Sequence, residues 1–189
     1  MQRQNELDRR NPKPRIGVLA LQGDFAAHLT MLEALGAEAR ESTTIGKLMI
    51  EYGLLHGLRE KIQEGIPTWG TCAGLILLAK ETDNALAGQP LLATMNIRVR
   101  RNAFGSQRES FETDLLVSVL GEAPFHTFFI RGPLVERVGP AVEVLATLDD
   151  GTIVAVREGT LLGTAFHPEV SGDTRFHQYF LRIVQGVKR

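Results

Sequence analysis

The stretch that most constrains the fold is Thr68-Trp69-Gly70-Thr71-Cys72-Ala73-Gly74-Leu75-Ile76-Leu77-Leu78-Ala79. It reads as a brief strand, a sharp turn and an apolar helix, with one cysteine at the corner between two glycines. Such an elbow belongs to folds in which a strand feeds directly into a helix, and it holds a nucleophile on a tight, strained turn. The flanking glycines let backbone pass where side chains would clash. A helix beginning after Cys72 aims its free N–H groups at the sulfur and favours the thiolate, and the Ala73 N–H is placed to donate to a developing oxyanion. A cysteine in this pattern is equally compatible with a buried structural role, so its meaning depends on what else the chain supplies.

The beginning of the chain has the same texture. Arg15–Leu21 is a short apolar run suited to a strand buried on both faces, and after Gln22-Gly23 the residues Phe25, Leu29, Leu32 and Leu35 recur at helical spacing before Gly36. Residues 1–14 read as a disordered leader or an expression remnant. The next stretch departs from the alternation: Ala37–Arg40 is short and polar for a central strand. Glu41-Ser42-Thr43-Thr44 then reads as the start of a helix, with Ser42 as N-cap and Ile45, Leu48, Met49 and Tyr52 on one face. A second helical piece covers Leu54 to Glu64. From about residue 92 strands dominate: Met95, Ile97 and Val99 alternate with Asn96, Arg98 and Arg100, and Leu115–Leu120, Thr127–Arg131, Val142–Leu148, Ile153–Arg157 and Leu161–Phe166 are further candidates. Asp150-Gly151 and Glu158-Gly159 supply turns between the last three. The closing helix carries Phe176, Tyr179, Phe180, Ile183 and Val184 on one face. The expected fold class is α/β, doubly wound around a mostly parallel central sheet with helices on both faces, plus antiparallel strands in the C-terminal half.

Composition bounds the function. The chain has 189 residues, 43% of them apolar and 23% charged, which fits one globular domain. Its 21 basic and 22 acidic residues leave a net charge of −1 and argue against nucleic acid as the main partner. No apolar run approaches the roughly 18 residues that cross a bilayer, and no signal peptide is visible, so a cytoplasmic protein is expected. The single cysteine excludes an internal disulfide and argues against a cysteine-based zinc site. No metal or bound cofactor is indicated.

A partner for the cysteine lies 95 positions downstream, in Phe166-His167-Pro168-Glu169. An extended His-Pro-Glu after a strand puts residues i and i+2 on the same side, so that Glu169 can hold the imidazole of His167 while its other nitrogen faces Cys72. A surface turn is the bland alternative for this tripeptide alone. With the elbow, it completes a nucleophile–base–orienter set. His28, His56, His126 and His177 show no metal-like spacing and are read as ordinary core or surface histidines.

With these pieces in place, the chain resembles the class I (triad) glutamine amidotransferases, and within them the glutaminase subunits of pyridoxal 5′-phosphate synthases. The matching stretches are Ile16–Gly23, Glu41–Thr44, Gly70–Gly74, Arg101-Asn102-Ala103-Phe104-Gly105, Phe129-Ile130-Arg131 and Phe166–Glu169, in the family's order from residue 15 onward. The resemblance implies hydrolysis of L-glutamine to glutamate and ammonia. Cys72 would form a glutamyl thioester, His167 would shuttle protons and Glu169 would orient it. It further implies that Glu41, Ser42, Arg101, Ile130 and Arg131 hold the substrate, and that Gln22 lies near the oxyanion region and the partner interface. The implied partner is a (β/α)8-barrel synthase subunit in a large hetero-oligomer, which takes the ammonia to build pyridoxal phosphate. That compound is the partner's product and not a cofactor here. Read without the resemblance, Arg101 and Arg131 suit a substrate carboxylate or a solvated surface, Arg98 and Arg100 suit a basic strand edge, Ser42 a helix cap and Gln22 a turn. Arg131-Gly132-Pro133 differs mildly from the family's Arg-Ala-Pro.

One departure is large. Before Glu-Ser-Thr-Thr the family carries a strand and a Leu-Pro-Gly-Gly turn, on the order of twenty residues with its loops, and here Arg40 runs straight into Glu41. A central parallel strand is not removable without exposing its neighbours. The sequence therefore leads to the expectation of one glutaminase domain over 15–189 with a segment missing between Arg40 and Glu41. Three other readings remain open: the glutaminase domain of another amidotransferase pathway, a hydrolase with a cysteine elbow but a different base, and a non-catalytic regulatory subunit of the synthase.

Overall fold

The structure is a computed structural model that describes residues 13–20, 25–43, 53–83, 90–101 and 110–186, with the side chains of 19, 20, 25 and 38–43 left aside. Gln22, the expected helix beyond Thr43, the Asn102–Gly105 block and most of the leader lie outside the described residues.

The chain opens with strand β1 (Arg15–Ala20), helix α1 (Phe25–Ala34) and strand β2 (Glu38–Thr43), and β2 lies parallel to β1 with Gly17 opposite Arg40 and Val18 opposite Glu41. The stop expected at Gly36 is present. Gly36 takes φ 82, its N–H reaches the Glu33 carbonyl at 2.9 Å and the Ala37 N–H reaches that of Leu32 at 3.0 Å, the two bonds of a Schellman end. Two expectations change here. The polar stretch after Gly36 is a strand, and Ser42 sits inside it, not at a helix N-terminus. Pairing with β1 satisfies its backbone, and that outweighs the weak strand propensity of Glu, Ala and Arg.

Next come α2 (Leu54–Gln63), β3 (Thr68–Thr71), the six-residue α3 (Ala73–Leu78) and β4 (Ala79–Asp83), followed by β5 (Met95–Arg100) and β6 (Ser110–Leu115). The remainder is β7 (Phe125–Ile130), β8 (Leu134–Val138), β9 (Glu143–Thr147), β10 (Ile153–Glu158), β11 (Leu161–Thr164) and α4 (Arg175–Val184). Seven strands form one sheet in the order β3-β11-β10-β8-β5-β4, with β9 also on β10; β6 and β7 form a separate antiparallel ribbon. The α/β class stands. Parallel pairing occurs at β1–β2, β3–β11 and β4–β5, while β8 to β11 are antiparallel, the turns at Gly151 and Gly159 taking positive φ. The strand expected over Leu115–Leu120 ends at Leu115, and Ser118–Leu120 is a single 3-10 turn. Strands β4, β6 and β8, rich in charged residues, gave no period-two apolar signal.

Among the described residues β1 pairs only with β2, and β3 pairs only with β11. The strand that would lie between two such edges in a doubly wound sheet has no counterpart in either sheet, and the chain passes from Arg40 to Glu41 within β2 without a break.

The core follows the periodicities. Met95, Ile97 and Val99 are buried while Arg98 and Arg100 point outward. Those arginines are paired in the sheet, Arg98 with Asp83 at 2.6 Å and Arg100 with Glu136. Phe176, Tyr179, Phe180 and Ile183 bury one face of α4, with Phe176 against Phe125 at 4.9 Å and Phe166 at 5.4 Å between ring centroids. Edge-to-face rings of this kind fix the helix against the sheet end from which the candidate site projects.

Candidate active site

Parallel pairing of β3 with β11 sets Gly70 opposite Gly163 and Thr71 opposite Thr164. The residues that leave the two strands are therefore neighbours: Cys72 follows β3 directly, and His167 comes three positions after β11. Two backbone bonds lock the arrangement. The Cys72 N–H donates to the Thr164 carbonyl at 2.8 Å, and the His167 N–H to that of Phe128 at 2.9 Å.

Cys72 occupies φ 47, ψ −104, a region rarely held by a residue with a side chain, as expected of an elbow. Gly70 is obligatory beneath it. A Cβ there would stand 2.5 Å from the Gly74 carbonyl carbon and oxygen, atoms fixed in the first turn of α3. The Cys72 carbonyl accepts from the Leu75 and Ile76 N–H groups at 3.1 and 3.4 Å, so Ala73 and Gly74 precede the first intrahelical donors and present their N–H groups at the turn.

His167 Nδ1 lies 2.7 Å from Glu169 Oε1. The contact is made by a turn and not by the extended segment expected: the Val170 N–H closes back on the His167 carbonyl at 3.2 Å. The other side of the imidazole faces Cys72. The cysteine first, then Glu169, favour the imidazolium and raise His167 to about 10 against the opposing effect of burial. Burial alone would raise Glu169, which is 5% exposed, but the hydrogen bond with His167 and then the close approach of His28 outweigh it and lower the carboxyl to about 2. A thiol, an imidazolium and a buried carboxylate thus form one connected set.

The other expected residues are distributed unevenly. The Ile130 carbonyl oxygen stands 3.9 Å from Cys72 Sγ, which brings the end of β7 to the cysteine, and Arg131 follows at φ 49 on an exposed position. Arg101 is half-buried just beyond β5, its N–H directed at the Asp83 carbonyl at 3.5 Å. Glu41 and Ser42 are placed on β2 by their backbone alone. Two residues read as ordinary histidines lie against the set: His28 of α1 is 3.1 Å from Glu169 Oε2, and His177 of α4 is 2.9 Å from His28. No spacing marks a pair 149 positions apart. The visible hint was a histidine beside Phe176 on an otherwise apolar helix face.

This fold and this elbow define the triad amidotransferase class. A family model described as the SNO glutamine amidotransferase family matches residues 38–186, and the chain belongs to that family. A relative from Herpetosiphon aurantiacus, named pyridoxal 5′-phosphate synthase subunit PdxT, is 54% identical over 188 residues, covering 89% of this chain and 99% of its own. A relative of the same name from Leifsonia xyli subsp. xyli is 52% identical over 192 residues, 92% of this chain and 97% of its own. A solved structure described as glutamine amidotransferase superposes with a TM-score of 0.81 at 43% identity, covering 91% of this chain and all of the other. A putative GMP synthase protein from Thermoplasma acidophilum shares the fold, with a TM-score of 0.62 at 14% identity, covering 93% of this chain and 96% of its own. The Herpetosiphon alignment is 188 positions long yet covers 89% of 189 residues, so about twenty positions of that relative have no counterpart here.

Proposed function

We propose that the chain is the glutaminase subunit of a pyridoxal 5′-phosphate synthase, hydrolysing L-glutamine to glutamate and ammonia and handing the ammonia to a synthase subunit. The observation that carries the catalytic part is the strained Cys72 elbow beside the His167–Glu169 couple at 2.7 Å. In this reading the Cys72 thiolate attacks the side-chain amide carbon of glutamine, and the Ala73 N–H donates to the oxyanion. The His167 imidazolium gives its proton to the departing nitrogen, so the C–N bond breaks, ammonia leaves and a glutamyl thioester remains. Neutral His167 then takes a proton from water as its oxygen attacks the thioester, and glutamate departs with the thiolate restored. Glu169 keeps the Nδ1 proton of His167 in place throughout. Ile130 and Arg131, at the end of the strand that reaches Cys72, hold the amino-acid end of glutamine together with Arg101, Glu41 and Ser42. Gln22 serves the oxyanion region or the partner interface.

The partner in this reading is a (β/α)8-barrel synthase in a large cytoplasmic hetero-oligomer, with no role for nucleic acid or membrane. Among the described residues no helix is long and apolar enough to cross a bilayer. Acid-quenched intact-mass measurement during turnover in the presence of the synthase tests the chemistry. A glutamyl adduct on the wild-type chain that Cys72→Ala lacks supports the reading, and its absence under conditions that release glutamate contradicts it.

The edges of β1 and β3, unpaired among the described residues, together with the shortfall of about twenty aligned positions, support a deletion between Arg40 and Glu41. They also favour a second reading, a non-catalytic subunit that binds the synthase. That reading expects a stable complex with no glutamate formed at saturation.

A further inference from the structure

Glu169 has two carboxylate oxygens, and the catalytic reading uses one. Oε1 takes His167; Oε2 is buried and faces the Nε2 of His28 at 3.1 Å, close enough to pair, with the ring turned off the line of a straight hydrogen bond. Contacts of this kind commonly tighten when a site is occupied. Behind His28 stands His177, fully buried, its Nε2 2.9 Å from His28 Nδ1 and its own Nδ1 without a hydrogen-bond partner. The edge of Trp69 closes the pair, 5.8 Å from the His28 ring and 5.0 Å from that of His177, and its indole N–H is turned away to Thr164 Oγ1 at 3.2 Å.

The chemistry of the buried ring sets the direction of these bonds. Burial first, then the neighbouring His28, lower His177 to about 4, so it is neutral and carries one ring proton. A proton on Nδ1 would be an orphaned buried donor, whereas on Nε2 it is donated to His28 Nδ1. In the neutral form of His28 its Nδ1 is then the acceptor and its proton sits on Nε2, facing Glu169.

We propose that His28, held in this tautomer by His177, is a positioning residue for the triad: it fixes the outer oxygen of Glu169 so that the inner one stays on His167. The proposal rests on the glutaminase reading for its effect on turnover, and the structural claim has a readout that needs no turnover. Cys72 is the chain's single cysteine, so its rate of alkylation by iodoacetamide reports the reactivity of the sulfur beside the His167–Glu169 couple.

The experiment uses the full chain with and without the synthase subunit, as wild type, His28→Leu, His28→Gln and His177→Phe. Glutamine carboxamide nitrogen can stand where the imidazole Nε2 stands; leucine cannot donate. We expect His28→Leu to slow alkylation at neutral pH about tenfold and to lower kcat by about ten- to a hundredfold with KM within about twofold. His28→Gln should recover both to within about threefold, and His177→Phe should fall between. Equal alkylation and kcat in wild type and His28→Leu would overturn the proposal, as would equal loss in the Leu and Gln variants at unchanged thermal stability. A wild-type chain that releases no glutamate but alkylates tenfold faster than His28→Leu would sink the glutaminase reading and leave the positioning role intact.

Discussion

Glu169→Gln is the sharpest change available at a single residue. The amide fills the same space, but it can turn an N–H toward His167 Nδ1, which reverses the donor and favours the wrong tautomer. A fall in kcat on the order of 10³ to 10⁴ is expected with a modest change in KM, measured with the synthase present. Loss confined to KM would place Glu169 with the substrate and not behind His167. The three residues of this set were legible because each carries a local mark: glycines around Cys72, and a carboxylate two positions from His167. His28 and His177 were not legible. Their contact joins α1 to α4, and neither helix shows in its own pattern what its histidine faces across the fold.

At the level of elements, the elbow depends on two glycines with different neighbours. At Gly70 an added Cβ meets backbone of α3 at 2.5 Å, and at Gly163 it meets the Leu75 Cδ1 at the same distance, the far end of a side chain that has other rotamers. Gly70→Ala should therefore cost about 3 kcal/mol or more, and Gly163→Ala about 1–2 kcal/mol, read from urea unfolding midpoints. A reversed order would contradict this account of the packing. The elements themselves were read unevenly. Strand β5 and helix α4 bury one face each and showed the right period, whereas β4 and β8 carry charged residues that pair across the sheet, as Asp83 does with Arg98 and Glu136 with Arg100, and β2 is placed by its backbone register with β1. Backbone pairing settles such strands, and it leaves no trace in a hydrophobic pattern. The proposed deletion after Arg40 was suggested by the broken alternation after Gly36 and given its size by comparison with the family. Inserting between Arg40 and Glu41 the corresponding segment of the Herpetosiphon relative should raise the thermal midpoint by at least about 4 °C, equivalent to about 1–2 kcal/mol in a chain of this size. An unchanged or lower midpoint would argue against a deletion at that point.

Across the whole molecule, the buried titratable groups set how stability varies with pH. His177 is lowered from 6.5 to about 4 in the folded chain, so between those values the unfolded chain binds more protons and acidification destabilises the fold, by on the order of 3 kcal/mol at the limit. Glu169, lowered from 4.5 to about 2, adds a further loss as pH falls through that lower range. His167 acts in the opposite sense. Raised from 6.5 to about 10, it contributes stability that is complete below 6.5 and is lost as pH rises through 10. Urea unfolding at stepped pH should show greatest stability near neutrality, with an acid limb between about pH 6.5 and 4 that His177→Phe flattens. An acid limb unchanged in that variant would assign the dependence to other groups.

The catalytic account itself is tested most directly by glutamate and ammonia released from L-glutamine, with the wild-type chain and Cys72→Ala each saturated with the synthase subunit. It predicts equal amounts of the two products from the wild-type chain and none above background from Cys72→Ala. No glutamate from the wild-type complex, or the same rate from both chains, would contradict it.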